Sequence, residues 1–237
     1  NTSFYIPDDF WAFSFIDYDF LDRADKDIPV PNTYAWASYD FMNVGKGARI
    51  NIDSHTYIHE TGHILGLTDY YDYDGLHSPM GKVDMQDHNV GDHNAYSKMA
   101  LGWSRPYVVT GDCTIKIKPA ESMGHCILIS DPQKPYNGNA FSEYLLLELI
   151  TPTGLWKQDS TIAYPTFNSK TYTKPGVRLM HVDSRLLDYN DNFAAKITNK
   201  SLYSLAYSNT VSESYNQGSY SLREDLLALI PANKSTA

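Results

Sequence analysis

The sequence predicts an α+β fold, with a helix-bearing region over residues 1–105 and a β-rich region over residues 106–237. Three observations carry this. A helical pattern with a start and a stop signal runs over residues 54–65. Composition shifts near residue 105: six of the eight histidines (55, 59, 63, 77, 88, 93) and the densest acidic stretch lie before it. After it come short apolar runs separated by Pro/Gly/Asn-rich turns such as "DPQKPYNGN".

The elements follow in order. Alternation of Trp11, Phe13 and Phe15 suggests a strand, and "YAWASYDF" (34–41) a second one. In the 54–65 helix, Ile58 and Leu65 are spaced to bury one face. Asp53 or Ser54 can cap its start, and Gly66 suits its stop. A second helix is expected from about Asn94 to Leu101 with Asp92 as cap, and a last one over Arg223–Leu229. Strands are expected at Thr114–Lys118, Cys126–Ser130, Tyr144–Ile150 and Val177–Val182. Residues 190–220, rich in Ser, Asn and Tyr, show no usable periodicity.

With 237 residues and 42% hydrophobic content, the chain can bury a substantial core. Aromatics at 14%, including 19 Tyr, argue against a disordered chain. The net charge of −9 and the absence of a Lys/Arg cluster argue against nucleic acid or an anionic membrane as partner. No run approaches the ~18 apolar residues of a spanning helix. The chain opens at Asn1 without a Met start or a basic leader, so it reads as a processed or trimmed piece. Cys113 and Cys126 lie in a segment that reads as two strands joined by a turn. They could form a disulfide across it or remain buried thiols. Two cysteines cannot supply a four-thiolate zinc site, so any zinc must use His and carboxylates.

The informative string is "HETGHILGLTDYYDYDG", residues 59–75. His59 and His63 are four apart and project from one helix face, a spacing at which two imidazoles can bind one zinc ion. Glu60 lies beside the metal's open position, where it can take a proton from water and deliver it to a leaving amine. A third ligand is needed. Gly66 permits a sharp turn, after which Asp69 can swing back, giving H-E-x-x-H-x-x-G-x-x-D. Asp72 competes for that role, and with Asp74 it could instead bind calcium through hard oxygen ligands. The structural alternative is an amphipathic helix with surface histidines. Gly62 counts against it, at a cost of about 1 kcal/mol in a helix interior.

These residues resemble the immune inhibitor A-like (M6) metallopeptidases, which are metzincin-related. "VDMQDHNVGDHNAYSKMALGW" (83–103), "SEYLLLELITPTGLW" (142–156) and "GVRLMHVDSRL" (176–186) are similar to later segments of that family, so the likeness spans roughly residues 33–190. The resemblance implies a zincin-like catalytic domain followed by a β-rich part. It also implies zinc held by His59, His63 and Asp69, with Glu60 as general base. A secreted or cell-surface bacterial endopeptidase acting on polypeptide is the expected function. Metzincins place a methionine turn beneath the metal; Met80 and Met85 both qualify, and Met85 is preferred. Family members commonly carry large upstream segments. Only 58 residues precede His59 here, so part of the catalytic sheet is expected to be truncated or differently built.

Other residues carry two readings. His181 and Asp183 could face the cleft or form a hydrogen-bonded pair in the sheet. Tyr96, beside His93, could steady an oxyanion or simply pack. His55, one turn before His59, could support the metal site or face solvent. The strand at "YAWASYDF" could pair with substrate backbone. A monomer without membrane insertion is expected, with zinc as cofactor and calcium as an optional second ion. The competing function is a non-catalytic surface module, binding glycan or protein and retaining a zinc site. Casein digestion with and without a chelator separates the two.

Overall fold

The computed structural model describes residues 11–16, 33–42, 52–89, 91–163, 170–184, 187–189, 195–197, 209 and 225–232. Helices and sheets are both present, so the fold is α+β. The chain divides into two compact units, Asn1–Leu67 and Thr68–Ala237. The composition shift near residue 105 does not coincide with that division. Packing explains the difference: Tyr70, Met80, Ala95, Tyr96 and Met99 share one buried cluster with Leu128, Leu146 and Met180. Residues 68–105 therefore belong to the core that the later strands build.

In the first unit, β1 (Phe13–Ile16) pairs antiparallel with β2 (Thr33–Trp36). The register sets Phe13 opposite Trp36 and Phe15 opposite Tyr34. All four rings therefore share one face, and that face is exposed. Helix α1 (His55–Ile64) packs on this strand pair. Tyr57 ties it down by donating to the Ser38 carbonyl at 2.7 Å.

The helix buries a face other than the one its hydrophobic residues mark. Ile58 and Leu65 are 39% and 48% exposed, whereas His59 and Glu60 are 8% and 7% exposed. Spacing alone assigned the apolar residues to the inside. The chain instead turns its ionisable residues inward, against the usual hydrophobic preference.

In the second unit, five strands form one sheet in the order β3-β4-β5-β6-β9. They are β3 (Tyr107–Val109), β4 (Ile127–Ile129), β5 (Glu143–Ile150), β6 (Gly176–Asp183) and β9 (Leu227–Leu229). The β3–β4 pair is parallel and the other neighbours are antiparallel. Strands β7 (Leu187–Tyr189) and β8 (Ala195–Ile197) pair separately. Short helices α2 (Ala95–Ala100), α3 (Ala120–Met123) and α4 (Lys157–Thr161) accompany the sheet.

Several expectations are corrected here. Thr114–Lys118 is irregular, because β4 takes β3 as its partner rather than an upstream hairpin strand. No ladder then aligns the two cysteines, and both are free, Cys113 exposed and Cys126 buried. Burial pushes the Cys126 thiol up to about 12. The described end of the expected Arg223–Leu229 helix is strand β9, since Leu226 and Leu227 bury completely against the sheet; Arg223 and Glu224 lie outside the described residues. The cap of α2 is Asn94, whose side chain accepts from the Ser97 N–H at 2.9 Å. Asp92 instead pairs with Lys98.

Strand β5 buries alternate residues Tyr144, Leu146, Glu148 and Ile150. One of these is a carboxylate, and the register answers it by setting Arg178 of β6 directly opposite Glu148. The Arg178 Nε and Nη2 atoms lie 2.7 and 2.6 Å from Glu148 Oε1. Nη1 donates to the Val83 carbonyl at 3.0 Å and to the Tyr172 hydroxyl at 2.9 Å. The guanidinium also lies 5.0 Å from the centre of the Trp156 ring. Asp84 stands 3.9 Å from Arg178, and burial, partly opposed by that guanidinium, raises its carboxyl to about 7. Segments 83–103, 142–156 and 176–186 thus meet at one buried ionic cluster.

Candidate metal centre

The site begins with the end of α1. Leu65 caps the helix and Gly66 follows at φ +98°. Gly66 N–H donates to the His63 carbonyl at 2.9 Å, and Leu67 N–H donates to the Gly62 carbonyl at 3.0 Å. This pair of bonds is the Schellman arrangement, which needs a residue at ease with positive φ. At the other end, the Asp53 carboxylate accepts from the His55 N–H at 3.0 Å. Ser54 occupies the N-cap position without a side-chain bond.

The turn has a chemical consequence. It brings the Leu67 carbonyl to 2.8 Å from His63 Nδ1. A carbonyl can only accept, so Nδ1 carries the proton. In the neutral ring Nε2 is then the lone-pair nitrogen, the form a metal requires. His63 Nε2 lies 3.1 Å from His59 Nε2. Two imidazole nitrogens about 2.0–2.1 Å from a shared tetrahedral zinc would stand ~3.3 Å apart, so the observed spacing fits one ion. The His55 ring sits 5.6 Å from that of His59 and extends the histidine row.

Ligand atoms of His59, His63 and Asp69 all lie within 4.8 Å of one another. Among the described residues this is the group able to hold a metal ion. Asp69 is 6% exposed, and the Tyr73 hydroxyl donates to its Oδ2. Two imidazoles and one carboxylate are a donor set that zinc accepts while leaving a coordination position open. Glu60 is buried on the same helix, next to His59 in sequence.

Asp72, the competing candidate, is engaged elsewhere. Its Oδ1 accepts from Asp74 N–H at 3.1 Å. Its Oδ2 accepts from Leu76 N–H at 2.8 Å and lies 3.0 Å from His77 Nδ1. Burial would raise the Asp72 carboxyl, but the Leu76 and Asp74 amides and His77 hold it below its ordinary value. A carboxylate surrounded by donors organises a loop, and among the described residues the His/Asp group that could hold a metal ion contains neither Asp72 nor Asp74.

The remaining candidates separate clearly. Met80 and Met85 are both buried, and Met80 belongs to the core cluster with Tyr70. Tyr96 is buried in that same cluster. His93 meets the Trp103 ring edge-on at 6.0 Å. Asp183 is buried, while His181 faces Glu143 at 3.4 Å and lines a shallow groove of about 300 Å³ with Asp131 and Lys134. Sequence reasoning missed Tyr73 and His77. Position offers a signal for the first: it lies four residues beyond Asp69 in a tyrosine-rich string. Nothing in the sequence pairs His77 with Asp225, its second partner at 2.8 Å.

No helix among the described residues is long and apolar enough to cross a membrane. Comparison with protein-family models, with curated proteins and with solved structures returned no match.

Proposed function

We propose that this chain is a zinc-dependent endopeptidase with a zincin-like catalytic region, of the immune inhibitor A-like (M6) type. The observation that carries the reading is the convergence of His59, His63 and Asp69, with Glu60 buried on the same helix and next to His59 in sequence. The reading includes secretion or display by a bacterium, action as a monomer, and an extended polypeptide as substrate.

Bound zinc would supply Lewis acidity to a water and to the scissile carbonyl. His59 and His63 would hold the ion through Nε2, and the Leu67 carbonyl fixes the His63 tautomer that leaves this nitrogen available. Asp69 contributes the negative charge that offsets a divalent ion. The Glu60 carboxylate takes a proton from the attacking water and passes it to the leaving nitrogen, so its own protonation state is restored each cycle. Burial strengthens that exchange by excluding bulk water from the carboxylate.

Glu60→Ala tests the assignment. The variant should bind zinc like the parent and lose casein cleavage by about 10²–10⁴-fold, the usual contribution of a general base. A variant that cuts casein at the parent rate would remove Glu60 from the mechanism. A zinc-loaded parent that cuts nothing would favour the non-catalytic binding module.

A further inference from the structure

We propose that Tyr73 is a positioning residue for the metal centre, acting through Asp69. The inference rests on the zinc reading above and concerns how the third ligand is held.

A carboxylate ligand has two oxygens and a freely turning χ2. To serve one ion from one side, it must be fixed by a partner on the other oxygen. Tyr73 meets that need: its hydroxyl donates to Asp69 Oδ2. The remaining oxygen, Oδ1, is shielded from solvent.

The phenol is itself held in place. Its ring meets Tyr71 edge-on at 5.2 Å, and Tyr71 meets the His88 ring at 5.5 Å. His88 Nδ1 faces Asp87 Oδ1, and Asp87 Oδ2 accepts from the Lys82 N–H at 2.9 Å. Asp87 is buried. A hydroxyl otherwise attached to a half-exposed side chain is thus braced by a row of rings that ends at a fixed carboxylate. Such bracing reduces the rotamer freedom lost when Asp69 is aligned.

The test is zinc affinity, measured by competition with a chromophoric chelator. Tyr73→Phe keeps the ring and removes only the hydroxyl. It should weaken zinc binding by roughly 10–100-fold, the usual effect of losing a partner behind a ligand, while the metal-free protein stays folded by far-UV circular dichroism. In an Asp69→Ala background, Tyr73→Phe should produce no further loss in the residual two-histidine affinity, since the acceptor it acts through has been removed. Equal zinc affinity in Tyr73→Phe and the parent would overturn the proposal. So would an undiminished effect in the Asp69→Ala background, because Tyr73 would then act on the ion directly. If the parent itself binds no zinc, the zinc reading fails first, and this inference with it.

Discussion

Gly66 and Gly91 lack side chains for different physical reasons, and the difference can be measured. Gly66 sits at φ +98° with open space where a Cβ would stand. Gly66→Ala should therefore cost only the conformational penalty of a left-handed L-residue, about 1–2 kcal/mol. At Gly91, a Cβ would lie 2.2 Å from Asp159 Oδ2 and 2.5 Å from the Trp156 ring. That ring is fully buried beneath Arg178 and has no room to withdraw. Gly91→Ala should cost more than Gly66→Ala, about 3 kcal/mol or above, as expected when a rigid core is overpacked. Urea unfolding followed by tryptophan fluorescence compares the two; an equal or reversed order would contradict the packing drawn around Trp156. Gly66→Ala should also weaken zinc binding, since the turn it supports presents the Leu67 carbonyl to His63.

Strands β5 and β6 hold their energetic weight in one cross-strand pair. Glu148 is fully buried, and its Oε1 lies within 2.7 Å of two Arg178 nitrogens. Removing one partner leaves an uncompensated charge in the core, so Arg178→Met should destabilise by about 3–5 kcal/mol. Replacing both, with Glu148→Leu added, should recover most of that loss, because the desolvation cost of both ions disappears together. Denaturant midpoints of the two single variants and the double variant close the cycle. A double variant less stable than Arg178→Met would show that the ion pair stabilises beyond what apolar packing can supply. The helix α1 carries the opposite lesson. Its apolar positions were legible at helical spacing, yet Ile58 and Leu65 lie outward. Periodicity reads which residues share a face; it does not read which face the rest of the chain covers.

At the scale of the chain, His77 links segments distant in sequence. Its Nδ1 lies 3.0 Å from Asp72 Oδ2 and its Nε2 2.8 Å from Asp225 Oδ1. Satisfying both carboxylates requires both nitrogens protonated. Burial lowers the imidazole pKa, but Asp225 and then Asp72 outweigh it and raise the pKa above 6.5. A raised folded-state value means that the stabilisation is fully present below 6.5 and fades as pH climbs through the higher folded value. His77→Gln should accordingly melt below the parent in mildly acidic buffer, with the gap closing on the alkaline side. Thermal melts of both proteins across that range check it, and a gap that widens with pH would refute the imidazolium bridge.

The sequence by itself determined the α+β class, the positions of β5 and β6 to within a residue or so, and the helix that carries His59, Glu60 and His63. These are local properties: strand alternation, the i to i+4 geometry of a helix, and a glycine able to end it. Only the tertiary structure decided that Asp69 rather than Asp72 joins the two histidines. It alone turned the described end of the last predicted helix into strand β9 and left the cysteines unpaired. Each of those outcomes depends on which distant groups compete for the same oxygen, backbone edge or core face. Neighbours along the chain do not carry that information, because the competing partners meet only when the sheet closes over its buried charges.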